Sequence, residues 1–498
     1  MQQGSRDSFS QELISALGPD GVLTEPASLY PYRHDASLMD GEAPMVACLP
    51  RDTAEVVLCV RIAARHGKPF VARGAGTGLA GGAVPLGDAL LISTMRMDRL
   101  LSLDATSRRA RVQPGVLNLD LDRAARAHGL RFAPDPSSQQ ACTIGGNIAN
   151  NSGGPHCLAL GVTSAHVESI EVVLADAEVV ELGGADPDPA GYDLRGAFIG
   201  SEGTLGIATE ATLRLLPRPS SVATLLCTFD DIDAAAACVS DVISAGIVPA
   251  ALEMMDGPLA SAVEDFCGAG YPRDAAAVLL VELEGEPAGV AAETSEVSAM
   301  AAARGAREVR EADNETEREA LWRGRKNAFG AVARIAPDYY LHDTVVPRTM
   351  LVDVLRQIRL IAADEQLAVV NVFHAGDGNL HPLLLFDRSE PGVLERVHRA
   401  GDRIVGASLA AGGVLSGEHG IGIEKRQHME SMFTDVDLEA QRMLRCAFDP
   451  LVMANPQKVL PGGSGCGDPL GAGRSRGSEA TGANSGSAED AAGSGLWI

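Results

Sequence analysis

The sequence contains no C-x-x-C pair and no other iron–sulfur spacing; its 9 cysteines are scattered along 498 residues. An iron–sulfur cluster would therefore have to sit in another chain, and the thiols read as reduced, as in a cytoplasmic protein. Basic residues are also in deficit. Against 66 Asp and Glu there are 41 Lys and Arg, a formal charge of −25. Nucleic-acid binding needs clustered basic charge, so no nucleic-acid partner is expected. No apolar run reaches the length of a membrane span, and the opening MQQGSR leads into a polar helix pattern without a signal-peptide core. The reading is a cytoplasmic protein with no integral membrane segment, any membrane contact being peripheral at the inner face.

What is present in excess is glycine, arranged in loops. Arg73-Gly-Ala-Gly-Thr-Gly-Leu-Ala-Gly-Gly-Ala-Val-Pro85 places Gly74, Gly76, Gly78, Gly81 and Gly82 within nine residues. Such a run lets backbone N–H groups crowd onto a concave surface, which is how a protein holds a diphosphate. Apolar residues 68–72 and 89–95 read as the strands flanking it. A Rossmann fingerprint, Gly76-x-Gly78-x-x-Gly81 with Asp98 downstream, is contained here too. It requires its last glycine inside an opening helix, and Gly82 and Pro85 would stop one, so a loop rather than a Rossmann turn is expected to hold the phosphate.

Helices are expected over 8–17 and 52–66, the second capped by Asp52 and Gly67, with a strand at 45–49. A second α/β unit begins at Asp104, with a strand at 108–112 and a helix ending near Gly129. Residues 133–154, rich in small, amide and hydroxyl side chains without amphipathic period, read as a long loop able to approach a flat heterocycle. A hairpin over 167–182 and a third glycine loop, Gly200-Ser-Glu-Gly-Thr-Leu-Gly206, precede a strand at 207–216. From Ser221 the pattern changes to a mainly antiparallel α+β domain with helices on one face, including a helix over 317–335 and a strand over 339–345.

The three loops RGAGTG, PSSQQACTIGGNIANNSGG and GSEGTLG, in this order, resemble the flavin domain of the vanillyl-alcohol-oxidase and p-cresol-methylhydroxylase type. The resemblance implies an α+β protein with a two-part FAD-binding domain over 1–219, split near residue 103, and an α+β cap domain with an antiparallel sheet over 220–422. C-terminal helices over 423–461 would return to the FAD domain, and 462–498, mostly Gly, Ser, Ala and Asp, would be a disordered tail. It implies FAD contacts from Arg73, Gly74, Gly76, Thr77 and Gly78 in the first loop. In the second they would come from Pro136, Ser137, Ser138, Gly145, Gly146, Asn147, Asn150, Ser152 and Gly153, and in the third from Gly200, Glu202, Gly203, Gly206 and Ile207. Residues 73–85 contain no histidine for a covalent link, so FAD is expected to be non-covalent.

Two further segments carry chemistry. Val370-Asn-Val-Phe-His374-Ala-Gly-Asp-Gly-Asn-Leu-His381 puts two imidazoles across a Gly-Asp-Gly turn, and Gly412-Gly-Val-Leu-Ser-Gly-Glu418-His419-Gly adds a carboxylate and a third imidazole. Two imidazoles and a carboxylate are a common set for a divalent ion with an open position; taken alone, structural histidines explain the first pair equally well. With LWRGRKNAF at 321–329 and PDYY at 337–340, these segments resemble the FAD-linked 2-hydroxyacid dehydrogenases, a group including glycolate, D-lactate and D-2-hydroxyglutarate enzymes. The end of the chain has Asn-Pro-Gln-Lys where such relatives usually read Asn-Pro-Gly-Lys, Gln457 being the departure.

The resemblance implies that His374, His381 and Glu418 hold a zinc-like or iron-like ion and that His419 is the base, with hydride passing from C2 to the flavin. It also implies that Arg325 pairs with the substrate carboxylate. Relatives acting on dicarboxylates carry lysine and asparagine where Leu341 and Leu383 stand here, so a small monocarboxylate, glycolate or D-lactate, is expected. Electrons would leave through additional subunits including an iron–sulfur protein, or through a quinone or cytochrome. The alternatives are a flavin-carrying subunit with an idle substrate site, a D-2-hydroxyglutarate-type dehydrogenase, and a nicotinamide dehydrogenase.

Overall fold

Strands Val22–Leu23, Ala47–Cys48, Leu90–Ser93 and Phe70–Arg73 lie side by side in that order in the first sheet. The last three run parallel. The computed structural model describes residues 2–39, 41–184, 191–462 and 466, so the expected tail lies, apart from Gly462 and Cys466, outside the described residues. Helix Thr53–Arg65 starts where the Asp52 side chain accepts from the Glu55 N–H at 2.9 Å. Its Val56, Cys59, Val60 and Ala63, one stripe at helical spacing, are buried with Phe70, Leu90 and Ile92 of the sheet. That packing fixes the strand whose C-terminal end delivers the first glycine loop.

The second sheet is antiparallel, in the order Leu100–Asp104, Arg109–Val112, Ile207–Arg214, Val167–Val173 and Val179–Gly183. Here the loop read over 133–154 proves partly helical: Ile144–Asn150 forms two turns, with Thr143 Oγ1 accepting from the Gly146 N–H at 3.2 Å. Only Ile144 and Ile148 supply an apolar face, too little to register as a period. Gly145 belongs in this helix because a Cβ there would stand 2.6 Å from Pro114. A short helix, Leu194–Phe198, likewise precedes the third glycine loop.

From Ser221 a nine-stranded sheet begins, antiparallel throughout its described pairings. Helices cover both faces, not one. Leu279, Val281 and Leu283 of strand Ala277–Gly285 pack toward Ile232–Ser244, Leu351–Asp364 and Val393–Ala410, whereas Val278 and Leu280 pack toward Gly257–Cys267 and Glu315–Lys326. A strand apolar on both faces is what such a central layer needs. The helix read over 317–335 is interrupted, giving Glu315–Lys326, Ala328–Ala331 and a 3-10 turn at Val332–Arg334. The strand read over 339–345 divides into Asp338–Leu341 and Thr344–Val345, with His342 and Asp343 between them.

Helix Asp435–Phe448 then leads back to the first sheet, where the Phe70 N–H donates to Met453 O at 2.8 Å. Asn455 Nδ2 donates to Gly82 O at 2.8 Å and Glu202 O at 2.7 Å, and Lys458 Nζ donates to Val84 O at 2.5 Å. The expectation of thiols alone is corrected at this end of the chain, where Cys446 and Cys466 form a disulfide. The other seven cysteines are free, and none lies in an iron–sulfur spacing. Among the described residues no helix is long and apolar enough to cross a membrane.

Candidate active site

The three glycine loops line one cavity of about 470 Å³, within the range of small-ligand and cofactor pockets. Every residue expected to contact FAD is in its wall except Gly153 and Gly200. The cavity is shaped by what glycine omits. A Cβ on Gly76, where φ is +73°, would fall 2.1 Å from Arg73 Nη2, and one on Gly82 would fall 2.9 Å from Glu202 Oε2. Arg73 thus braces the inside of the first loop, its guanidinium 5.6 Å from the Tyr32 ring and Nη1 directed at Ala83 O. A concave wall of bare backbone fits the diphosphate and flat ring of FAD. Gly153 has another use: a Cβ there would lie 2.8 Å from Glu418 Oε2, so its absence lets that carboxylate approach.

At one end of the cavity the wall passes to Lys326, Phe329, Tyr339, Leu341, Glu418 and His419. Behind Glu418 stand His374 and His381, both buried, each with Nε2 at 3.2 Å from Glu418 Oε1. The two rings are 5.1 Å apart and nearly perpendicular. One ligand atom from each of the three residues falls within 4.8 Å of the others, a donor set that suits a divalent cation. Burial works against the charge on His374, but Glu253 and Glu418 outweigh it and hold the imidazole pKa well above its usual value. A cation among these groups would take over that balancing charge.

His419 stacks on His381, with centroids 5.0 Å apart and planes within 3°. Burial depresses its pKa to about 4, with His381 and Lys425 adding to the effect against the pull of Asp343, so the ring is neutral and can accept a proton. Its loop is fixed from two sides. Asp343 Oδ2 accepts from the N–H groups of Gly417 and His419, each at 3.0 Å, and from Ser416 Oγ at 2.5 Å. From the flavin side, Asn150 Nδ2 donates to His419 O at 2.8 Å, while Glu202 accepts from the N–H groups of Ile421 at 2.7 Å and Gly422 at 2.8 Å.

Arg325, expected to meet the substrate carboxylate, stands behind the cavity wall and not in it. Its side chain is fully buried and absent from the cavity wall; Nε donates to Glu253 Oε2 at 2.7 Å, Nη2 is 2.6 Å from the same oxygen as an ion pair, and neither Nη1 nor Nη2 has a hydrogen-bond partner. Lys326, the next residue, does face the cavity, with Nζ 3.7 Å from Asp135 Oδ2 and 3.5 Å from Gln139 Oε1. Leu341 lines the cavity, whereas its strand partner Leu383 is fully buried behind it. The sequence reading passed over Glu253, Asp343 and Lys326. The first two had a signal, being single acids inside apolar strand segments, ALEMM and YYLHDTVV, where an unpaired charge is costly.

The fold and the cavity define a flavoprotein oxidoreductase. Residues 44–183 match the FAD binding domain family and residues 218–459 match the family "FAD linked oxidases, C-terminal domain". The chain is 44% identical over 440 residues to "Glycolate oxidase subunit GlcD" of Escherichia coli K12, covering 88% of each chain. It is 32% identical to a "D-lactate dehydrogenase" of Anaerostipes hadrus, covering 90% of this chain and 96% of that one. Among solved structures, 4-ethylphenol oxidase from Gulosibacter chungangensis superposes with a TM-score of 0.79 at 19% identity, covering 92% of this chain and 97% of that one. p-Cresol methylhydroxylase gives 0.76 at 17%, with the same coverages; both likenesses concern the fold. The chain belongs to the FAD-linked oxidase family.

Proposed function

We propose that this protein oxidises a small 2-hydroxy monocarboxylate, glycolate or D-lactate, to the 2-oxo acid. The observation carrying this reading is the convergence of His374 and His381 on Glu418, which with neutral His419 lines a cavity otherwise walled by glycine loops. When bound, FAD supplies a two-electron acceptor for C2 and a divalent ion, zinc or iron, polarises the substrate hydroxyl. His374, His381 and Glu418 would hold that ion. His419 takes the hydroxyl proton, being neutral and held through its own backbone by Asp343 and Asn150. Lys326 meets the substrate carboxylate, and Leu341, Phe329 and Tyr339 present no second cation for a dicarboxylate.

The FAD-binding unit would comprise residues 1–219 and the cap 220–422, the base loop lying at their junction. Electrons then pass to a partner, for which an iron–sulfur subunit is the leading candidate, since the relative named above is itself called a subunit. The test is an anaerobic titration of the bound flavin with glycolate, D-lactate, L-lactate and D-2-hydroxyglutarate, repeated after chelation. Bleaching of the flavin by glycolate or D-lactate, lost on chelation and restored by added metal, is the expected result. Faster bleaching by D-2-hydroxyglutarate than by either would overturn the substrate assignment. No bleaching by any acid would instead favour the idle electron-transfer subunit.

A further inference from the structure

Each of the two imidazoles has a buried carboxylate at its back, and neither carboxylate lines the cavity. Behind His374 stands Glu253, whose Oε1 is 2.7 Å from His374 Nδ1. Its Oε2 accepts from Arg325 Nε at 2.7 Å, so Arg325, Glu253 and His374 form a file of three fully buried groups. Behind His381 stands Asp343, whose Oδ1 is 3.8 Å from His381 Nδ1. Both of these atoms are buried and without a hydrogen-bond partner. A buried donor and acceptor left unmatched are costly, and a shift of about 1 Å would pair them. The other oxygen of Asp343 is saturated, by Ser416 Oγ, by the N–H groups of Gly417 and His419, and by Lys425 Nζ at 3.4 Å.

We propose that Glu253 and Asp343 are the positioning residues of the centre, each orienting one imidazole through Nδ1 so that Nε2 is presented to a divalent cation. Asp343 has the wider reach. With Oδ1 it faces one ligand, and with Oδ2 it sets the backbone of the loop that carries Glu418 and His419, so a single carboxylate aligns two ligands and the base. Arg325 then acts through Glu253: it supplies the counter-charge that keeps a carboxylate ionised in a site closed to water. The inference rests on the metal reading of the preceding subsection.

The test is Co²⁺ binding to the full-length, FAD-loaded protein freed of metal, followed by equilibrium dialysis and by the Co²⁺ ligand-field bands at wavelengths beyond the flavin absorption. Glu253→Gln and Asp343→Asn are each expected to weaken Co²⁺ binding by about 10- to 100-fold and to shift those bands, while FAD stoichiometry stays at the parent value. Arg325→Lys keeps the charge but loses the fork, and it serves where the other variants fail to fold; a smaller loss in the same direction is expected. Variants that keep FAD and bind Co²⁺ with the parent's affinity and spectrum would overturn this inference alone. A parent that binds no Co²⁺ would overturn the metal reading and this inference with it.

Discussion

Asn150 and His419 meet across the seam between the flavin loops and the cap, the side-chain amide donating to the backbone carbonyl at 2.8 Å over 269 positions of sequence. The amide touches neither ring nitrogen of His419, so it can affect proton transfer only by placing the imidazole. Asn150→Ala should therefore lower kcat by about 10- to 100-fold, the scale of a misplacement of about 1 Å. Stopped-flow reduction of the flavin measures this directly. An unchanged reduction rate would show that Asp343 fixes the loop unaided.

Lys326 is the cation at the end of the cavity that holds Glu418 and His419, and its contacts to Asp135 and Gln139 are long enough to leave donors free. A charge-assisted hydrogen bond to a carboxylate contributes about 1.5–3 kcal/mol. Lys326→Met should raise KM for glycolate or D-lactate by roughly 10- to 100-fold. If KM stays put while Arg325→Met raises it, the carboxylate lies on the other side of Glu253.

Leu341 occupies the cavity wall, at the position where the resemblance implies lysine in a dicarboxylate-using enzyme. Leu341→Lys should raise the ratio of kcat/KM for D-2-hydroxyglutarate to that for glycolate by about 10-fold or more. Parallel steady-state assays with the two acids would reveal it, and a constant ratio would place the second carboxylate elsewhere.

His156 links the flavin loops to the cap, with Nδ1 at 2.9 Å from Asp135 Oδ2 and Nε2 at 3.1 Å from Glu282 Oε1. Burial opposes its charge, yet Asp135 and Glu282 raise its pKa from 6.5 to about 10. A raised folded-state pKa means stabilisation fully present below pH 6.5 and lost as pH climbs through 10. Glu282 behaves oppositely: against the penalty of burial, His156 brings its pKa from 4.5 to about 2, so its share is present above pH 4.5 and lost toward pH 2. The Tm difference between the parent and His156→Gln should be greatest between pH 4.5 and 6.5 and should shrink toward pH 10. A difference independent of pH would rule out a charged imidazole.

Gln457 has φ +64°, a left-handed conformation that disfavours any side chain. Glycine is the residue that this geometry asks for. Gln457→Gly should be stabilising by about 0.5–1 kcal/mol, the relief of a left-handed side chain less the entropy of glycine, seen as a small rise in Tm. A fall in Tm would mean that the Gln457 side chain contributes a contact worth more than that strain.

Much of the site was legible because glycine and histidine are informative in groups. A Cβ on Gly74 or Gly76 would strike Thr143 or Arg73, and His374, Glu418 and His419 stand in short glycine-bordered runs that suit tight turns. What escaped was fixed by distant pairing. Arg325 reads as a substrate clamp, and only the fold shows its Nε tied to Glu253, 72 positions earlier. Asp343 is an ordinary acid in sequence and becomes central only because Thr344–Val345 pairs with Asn379–Leu380, beside the loop at 416–419. Helix Ile144–Asn150 was read as loop because two isoleucines are too few to show a period.

The link from Asn455 to Gly82 and Glu202, and from Lys458 to Val84, joins the last described stretch of the chain to its earliest loop. During synthesis the N-terminal loops emerge hundreds of residues before the groups that fasten them, and long-range contacts of this kind form late. The cofactor cradle is therefore incomplete until the stretch carrying Asn455 and Lys458 has been made and has docked.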